Sequence, residues 1–157
     1  MQFKLLGQSN LNVSQVAFGC MSLDVSNDNK TLLRSAVDSG INLFDTADLY
    51  DRGQNEVIVG KALRAIRKNI YIATKVGNQW RPDGSGWDWN PTKTYIIKAV
   101  EDSLRRLQTD YIDLYQLHGG TLDDPFEEAL EAFNILKSQG KILNYGISSI
   151  RPNVIDH

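Results

Sequence analysis

Four side chains with complementary chemistry recur along the first three-quarters of the sequence: Asp45, Tyr50, Lys75 and His118. A tyrosine is a reluctant proton donor at neutral pH, and a nearby ammonium makes it a better one by stabilising the phenolate. A lysine is costly to bury unless a carboxylate pairs with it. Asp45 supplies a carboxylate, Lys75 an ammonium and Tyr50 a phenol, while His118 can hold a substrate oxygen or relay a proton. Such a set would protonate a carbonyl oxygen as a hydride arrives at carbon. No side chain donates a hydride, so a cofactor must supply it. Taken singly, each residue has a plainer reading: Asp45 as a turn cap, Tyr50 as a half-exposed loop aromatic, Lys75 as a solvated strand end, His118 as a satisfied core histidine. Their shared placement favours a site.

That placement follows from the apolar pattern. FKLL and LNVSQVAF read as a hairpin leading into a strand, broken by Gly7, Ser9 and Asn10. Helical spacing over 29–39, 55–66, 92–107 and 125–138 alternates with strand-like runs at 41–45, 70–75, 111–118 and 142–148. Asn90 and Pro91 mark the entrance of the third helix. Asp124, Pro125 and Glu127 predict a cap, a first-turn proline and a capping box for the fourth. The LRAIRKN and SLRRL segments read as basic, solvated helix faces. Strands with little alternation are parallel and covered on both faces. An open doubly wound sheet and a (β/α)8 barrel both fit this order. The first strand is followed by FGCMSLDVSN, which lacks the glycine-rich turn of the open nucleotide-binding sheet. Asp45, Lys75, His118 and Ser148 end four consecutive strands, and in a barrel those ends meet on the face where active sites lie.

Composition bounds the rest. The 157 residues, 41% hydrophobic and 23% charged, predict one globular domain over 1–157. A net charge of −2 gives no basic surface for nucleic acid or anionic membrane. The single cysteine, Cys20, excludes an internal disulfide, and its expected role is a small buried hydrophobe. MQFKLLGQSN lacks a signal-peptide core, and no run nears the roughly 20 apolar residues of a membrane span. These features predict a cytoplasmic protein. No metal-spaced cluster is present, so no metal is expected.

LFDTADLY (43–50), GQNEVIVGKAL (53–63), ATK (73–75), TDYIDLYQLH (109–118) and YGISSIRPN (145–153) together resemble the aldo-keto reductase family, with Gly119 and Gly120 after His118 resembling its bacterial-type branch. The resemblance implies a (β/α)8 TIM-barrel fold, of which the first five strands and four helices are present behind an N-terminal hairpin. It implies reduction of aldehydes or ketones with NADPH, or NADH. It assigns Tyr50 as general acid, tuned by Lys75 and Asp45, with His118 orienting the carbonyl. It places Ser148, Ser149, Asp45, Gly19 and Met21 against the cofactor. Ser149 stands where many members have Asn, which shortens its reach. The long loop 76–90 carries Trp80, Trp87 and Trp89; Trp80 is the expected substrate-pocket wall, and the other two are expected to pack on the rim. A barrel of this kind typically takes about 250 residues. An arc of five strands therefore predicts unpaired edges and self-association, and leaves a non-catalytic binding or assembly module, or a product without activity, as the alternative to an enzyme.

Overall fold

The computed structural model describes residues 1–25 and 28–156. Its strands are β1 (Phe3–Leu5), β2 (Asn12–Ser14), β3 (Phe18–Gly19), β4 (Leu43–Asp45), β5 (Tyr71–Val76), β6 (Asn78–Trp80), β7 (Trp87–Trp89), β8 (Ile112–His118) and β9 (Ile142–Ser148). Its helices are α1 (Asn29–Asp38), α2 (Gln54–Leu63), α3 (Lys93–Leu107), α4 (Phe126–Ser138) and the short α5 (Pro152–Ile155). Strands β3, β4, β5, β8 and β9 form one parallel sheet in that spatial order. β1–β2 and β6–β7 are separate antiparallel pairs.

The apolar stripes of the helices cover one face of the sheet. Leu33, Val59, Leu63, Ile96, Val100 and Leu136 meet Phe44, Ile72, Val76 and Tyr115 in a continuous buried core. Burying an aliphatic side chain of this size stabilises the fold by about 1.5–3 kcal/mol. The opposite face is built differently along its length. At the strand starts, Leu43 and Ala73 pack with Leu11 and Val13, flanked by Leu6, Tyr71 and Leu114. The N-terminal segment thus closes that end. Side chains two apart on a strand share a face, so this face continues from Leu43 to Asp45, from Ala73 to Lys75, and from Leu114 through Gln116 to His118. An apolar floor therefore gives way to an ionisable rim.

Several sequence expectations need correction. LNVSQVAF is not one strand. The Ser14 amide donates to Asn42 Oδ1 at 2.7 Å and its hydroxyl to the Val16 carbonyl at 2.7 Å. These bonds, one local and one from 28 residues away, end β2, and the chain re-enters at β3 in the main sheet. The helix expected over 55–66 stops at Leu63 and continues as 3-10 turns over Arg64–Asn69. α3 begins at Lys93, directly after the Asn90–Pro91 entrance, and Thr92 caps it, its side chain accepting from the Tyr95 amide. α4 starts at Phe126 with Pro125 as its cap and no side-chain cap bond. Asp124 instead accepts from the Thr121 amide at 2.6 Å and the Trp89 indole at 2.8 Å, so tertiary partners outcompete the expected capping box.

The basic segments are not simply solvated. Arg67 is buried and donates to Thr109 Oγ1, the Ile70 and Tyr111 carbonyls and Asp113 Oδ2, the last at 2.6 Å. Arg106 Nε lies 2.6 Å from Oε2 of the fully buried Glu56. These cations serve buried carboxylates, which would otherwise be strongly destabilising.

Candidate active site

The ends of β4, β5 and β8 bring three of the four candidates together. Lys75 is 4% exposed, and its ammonium has three hydrogens to place. All three have acceptors: Asp45 Oδ1 at 2.6 Å, the Thr46 carbonyl at 2.8 Å and the Tyr50 hydroxyl at 3.4 Å. Because the lysine donates to the phenol oxygen, the phenol's own hydrogen is left to point elsewhere. The ammonium also lies 5.1 Å from the Tyr50 ring centre. Across the site, the rings of Tyr50 and His118 meet edge to face, 5.9 Å apart at 82°.

His118 has a lowered pKa. Burial is the main cause, the Lys75 charge adds to it, and the Asp45 charge partly opposes it. The ring is therefore held neutral near neutrality, with one N–H donor and one bare nitrogen. Its Nδ1 is buried without a hydrogen-bond partner.

Tyr50 does not sit in an open loop. It begins a 3-10 turn, Tyr50–Gly53, entered from a stretch that still follows β5: the Thr46 amide bonds the Ala73 carbonyl at 2.9 Å, and the Asp48 amide reaches the Lys75 carbonyl at 3.4 Å. Asp51, Arg52 and Gly53 then all take positive φ, at 46°, 53° and 83°. Two consecutive non-glycine residues in this region cost roughly 1–2 kcal/mol each and persist only under external restraint.

Residues the sequence reading passed over hold this segment. Asn55 is fully buried and links Thr46 Oγ1 (2.6 Å) to the Cys20 carbonyl (2.6 Å), tying the Asp45–Tyr50 segment to the exit of β3. Glu56 accepts from Thr74 Oγ1 at 2.6 Å beside its bond to Arg106. Both positions fall on the same helical stripe as Val59, Ala62 and Leu63, which was the available signal. Asp48 is buried too. Burial first, then the neighbouring Glu56 charge, pushes its pKa up to about 8 against partial relief from Arg106. Gln116 lies on the rim face in register with Lys75 and Gly146, a position that the alternation leading to His118 already marked.

The remaining candidates are spread around the rim. Ser148 ends β9 in register with His118, and Ser149 follows with φ 59° on the surface. Gly19 pairs with Asp45, and a Cβ built there would meet nothing within 4 Å. Met21 is exposed. Cys20 is buried, and its thiol is pushed up to about 12 chiefly by burial.

The tryptophans depart from expectation because 76–90 is not a plain loop. It folds into the β6–β7 pair, with Trp80 opposite Trp87. Trp89 packs inward, where a side chain on Gly77 (φ 123°) would strike its ring at 2.4 Å. Trp87 is exposed rather than packed on the rim. Trp80 donates its indole N–H to the Leu49 carbonyl at 3.1 Å. It lines a cavity of about 260 Å³ with Asp48, Arg52, Asn78, Tyr95 and Arg106, and that lining includes none of Asp45, Tyr50, Lys75 or His118. Among the described residues, no group of three or more His, Cys, Asp or Glu could hold a metal ion, and no helix is long and apolar enough to cross a membrane.

A five-stranded parallel βα sheet with an N-terminal hairpin at its strand starts and an Asp–Lys–Tyr–His cluster at its strand ends has the arrangement of an arc of a (β/α)8-type barrel. Residues 15–157 match the Aldo/keto reductase family, and the chain belongs to that family. It is 56% identical over 156 residues to the uncharacterized oxidoreductase YqkF of Bacillus subtilis, covering 99% of this chain and 51% of that protein. Its structure is similar to the holo form of the aldo-keto reductase AKR11C1 from Bacillus halodurans, with TM-score 0.94 and 57% identity, covering 99% of this chain and 53% of that one. An aldo-keto reductase from Klebsiella pneumoniae, solved in complex with NADPH, aligns at TM-score 0.80 and 32% identity over 92% of this chain and 49% of its own. The chain thus spans about half the length of the relatives it matches.

Proposed function

We propose that this chain carries the proton-donating side of a carbonyl-reducing site, converting aldehydes or ketones to alcohols with NADPH, or NADH, as the reductant. The observation that carries this reading is the Lys75 ammonium, anchored by Asp45 at 2.6 Å and directed at the Tyr50 oxygen. The rim has features that suit a nicotinamide nucleotide: the orphaned His118 Nδ1, the open space over Gly19, and the hydroxyl of Ser148 beside His118. Ser148, Ser149, Asp45, Gly19 and Met21 would hold it. When bound, it supplies the hydride that reaches the carbonyl carbon.

The chain's own residues manage the proton. Neutral His118 donates an N–H to the carbonyl oxygen and sets its position against Tyr50. The Tyr50 O–H bond breaks, the proton joins the carbonyl oxygen, and the electron pair stays on the phenol oxygen. That developing charge is met by Lys75, which is already in place and needs no rearrangement. Asp45, at 2.6 Å, keeps the ammonium oriented.

Oxidation of NADPH in the presence of simple aldehydes tests the reading. Tyr50→Phe keeps the ring and removes the proton, and the expected loss of turnover is about 10²–10⁴-fold. Turnover that survives Tyr50→Phe undiminished refutes the assignment.

A further inference from the structure

We propose that the β6–β7 hairpin is the positioning device for Tyr50, acting through Trp80 and Arg52 on the two sides of that residue; this rests on the reading of Tyr50 as proton donor. Trp80 donates its indole N–H to the carbonyl of Leu49, the residue just before Tyr50, at 3.1 Å. Arg52, two residues after Tyr50, lays its guanidinium over the Trp80 ring at 5.0 Å and donates to the Gly84 carbonyl in the hairpin turn at 2.9 Å. The chain is thus held by one hairpin immediately before and shortly after Tyr50. The segment between has the positive φ angles of Asp51 and Arg52, a conformation that its own residues do not favour and that an outside restraint must maintain.

The hairpin is itself fixed from elsewhere. Arg81 and Asp88 pair across it, with a closest approach of 2.6 Å. The Asn90 amide bonds the Gly77 carbonyl at 2.7 Å. The Trp89 indole bonds Asp124, and the Trp89 ring lies against Gly77 and Gly119. Asn78 Nδ2 donates to the His118 carbonyl at 3.0 Å. One piece therefore touches the backbone just before Tyr50, the Arg52 side chain just after it, and the backbone of His118. It sets the spacing between the two side chains that would share a substrate oxygen. A wall role alone would not require the Trp80 N–H to be committed to Leu49.

The test reads geometry rather than turnover, so its failure is distinguishable from a failure of the reductase reading. In the full chain, with tyrosine and lysine isotopically labelled, the Tyr50 ring should show a nuclear Overhauser cross-peak to the Lys75 ε-methylene, assigned with Tyr50→Phe and Lys75→Met. Trp80→Phe keeps a ring and removes the donor; Arg52→Ala releases the other side. Each should lose or weaken that cross-peak and shift the Tyr50 ring signals, while the Tyr115–Phe133 contact (ring centres 5.7 Å apart) persists. Trp87→Phe, on the facing strand, should leave all of these signals in place. If Trp80→Phe also loses the Tyr115–Phe133 contact, the fold has failed and Arg52→Ala decides. Unchanged Tyr50 signals in folded Trp80→Phe and Arg52→Ala, or a parent chain without the Tyr50–Lys75 cross-peak, overturn the proposal. Where turnover is measurable, these two variants should lower kcat with KM held; altered KM or substrate selectivity at constant kcat would return Trp80 to the pocket wall.

Discussion

Replacing Asp48 by Asn should make the protein's stability less dependent on pH. Asp48 is 7% exposed, its Oδ1 has no hydrogen-bond partner, and its other contacts are the Leu49 amide and the Tyr95 hydroxyl. Its pKa rises from 3.8 to about 8, first by burial and then by Glu56. The folded chain therefore keeps a proton on Asp48 that the unfolded chain releases above 3.8. The stabilisation from this group is complete below 3.8 and is lost as pH rises through about 8. Between those limits the unfolded state binds about one proton fewer, so stability falls by up to about 1.4 kcal/mol per pH unit. From about pH 5 to about pH 8 the ceiling is roughly 4 kcal/mol, and water penetration and relaxation around a buried charge bring the expected figure to about 2–4 kcal/mol. Asn keeps the shape and a partner for Tyr95 but cannot ionise. Urea unfolding of parent and Asp48→Asn at about pH 5 and about pH 8 gives the difference directly. That difference should grow in favour of Asn by about 2–4 kcal/mol as pH rises. His118 titrates with the opposite sign, its folded pKa being lowered, but it is common to both proteins and cancels. A pH-independent difference would refute the assignment of a buried, protonated carboxyl at Asp48.

Arg67→Met should lower stability by about 3–5 kcal/mol, because it strands the buried Asp113 carboxylate. Asp113→Asn added to Arg67→Met should recover part of that loss, and chemical denaturation of the two variants measures it. Gln108 caps the C-terminus of α3 at φ 55°. Gln108→Gly should raise stability by about 0.5–1 kcal/mol despite losing the exposed bond from Arg64, and should raise Tm by a few degrees. The main sheet has β3 and β9 at its edges, and Leu143 and Ile147 on β9 are exposed. An edge of this kind predicts concentration-dependent self-association of the chain, to be read by size-exclusion chromatography with light scattering; a monomer at all concentrations refutes it.

The order of elements was legible because helix and strand periods differ and each apolar stripe here faces one core. Leu33, Ile96, Val100 and Leu136 are buried where helical spacing places them. What escaped was decided by partners distant in sequence. Arg67 reads as a solvated base until Asp113, 46 residues on, is brought beside it. Asp124 reads as a cap until the Trp89 indole arrives from the β6–β7 hairpin. That hairpin was itself hidden, since RPDGSG supplies strong turn signals while its three-residue strands are too short to show a period of two.

The candidate site divides along the same line. Asp45, Lys75 and His118 were readable because each closes an apolar strand run, and the ends of parallel strands lie on one side of the sheet. Leu43, Ala73 and Leu114 supply the apolar floor, and the same face therefore carries Asp45, Lys75, Gln116 and His118 toward the strand ends. The parallel register, added to the two-residue strand repeat, puts these groups on one surface. Tyr50 is different, since no periodicity fixes a residue five positions beyond a strand. Its hydroxyl comes within 3.4 Å of Lys75 through a left-handed turn in which only Gly53 is a residue type that favours positive φ. The strand-end charges follow from the fold of the sheet, whereas the phenol's position depends on contacts made by a separate hairpin. Tyr50 is therefore the part of the site most open to adjustment without disturbing the sheet, and substitutions at Trp80 and Arg52 should move it while leaving the Lys75–Asp45 pair in place.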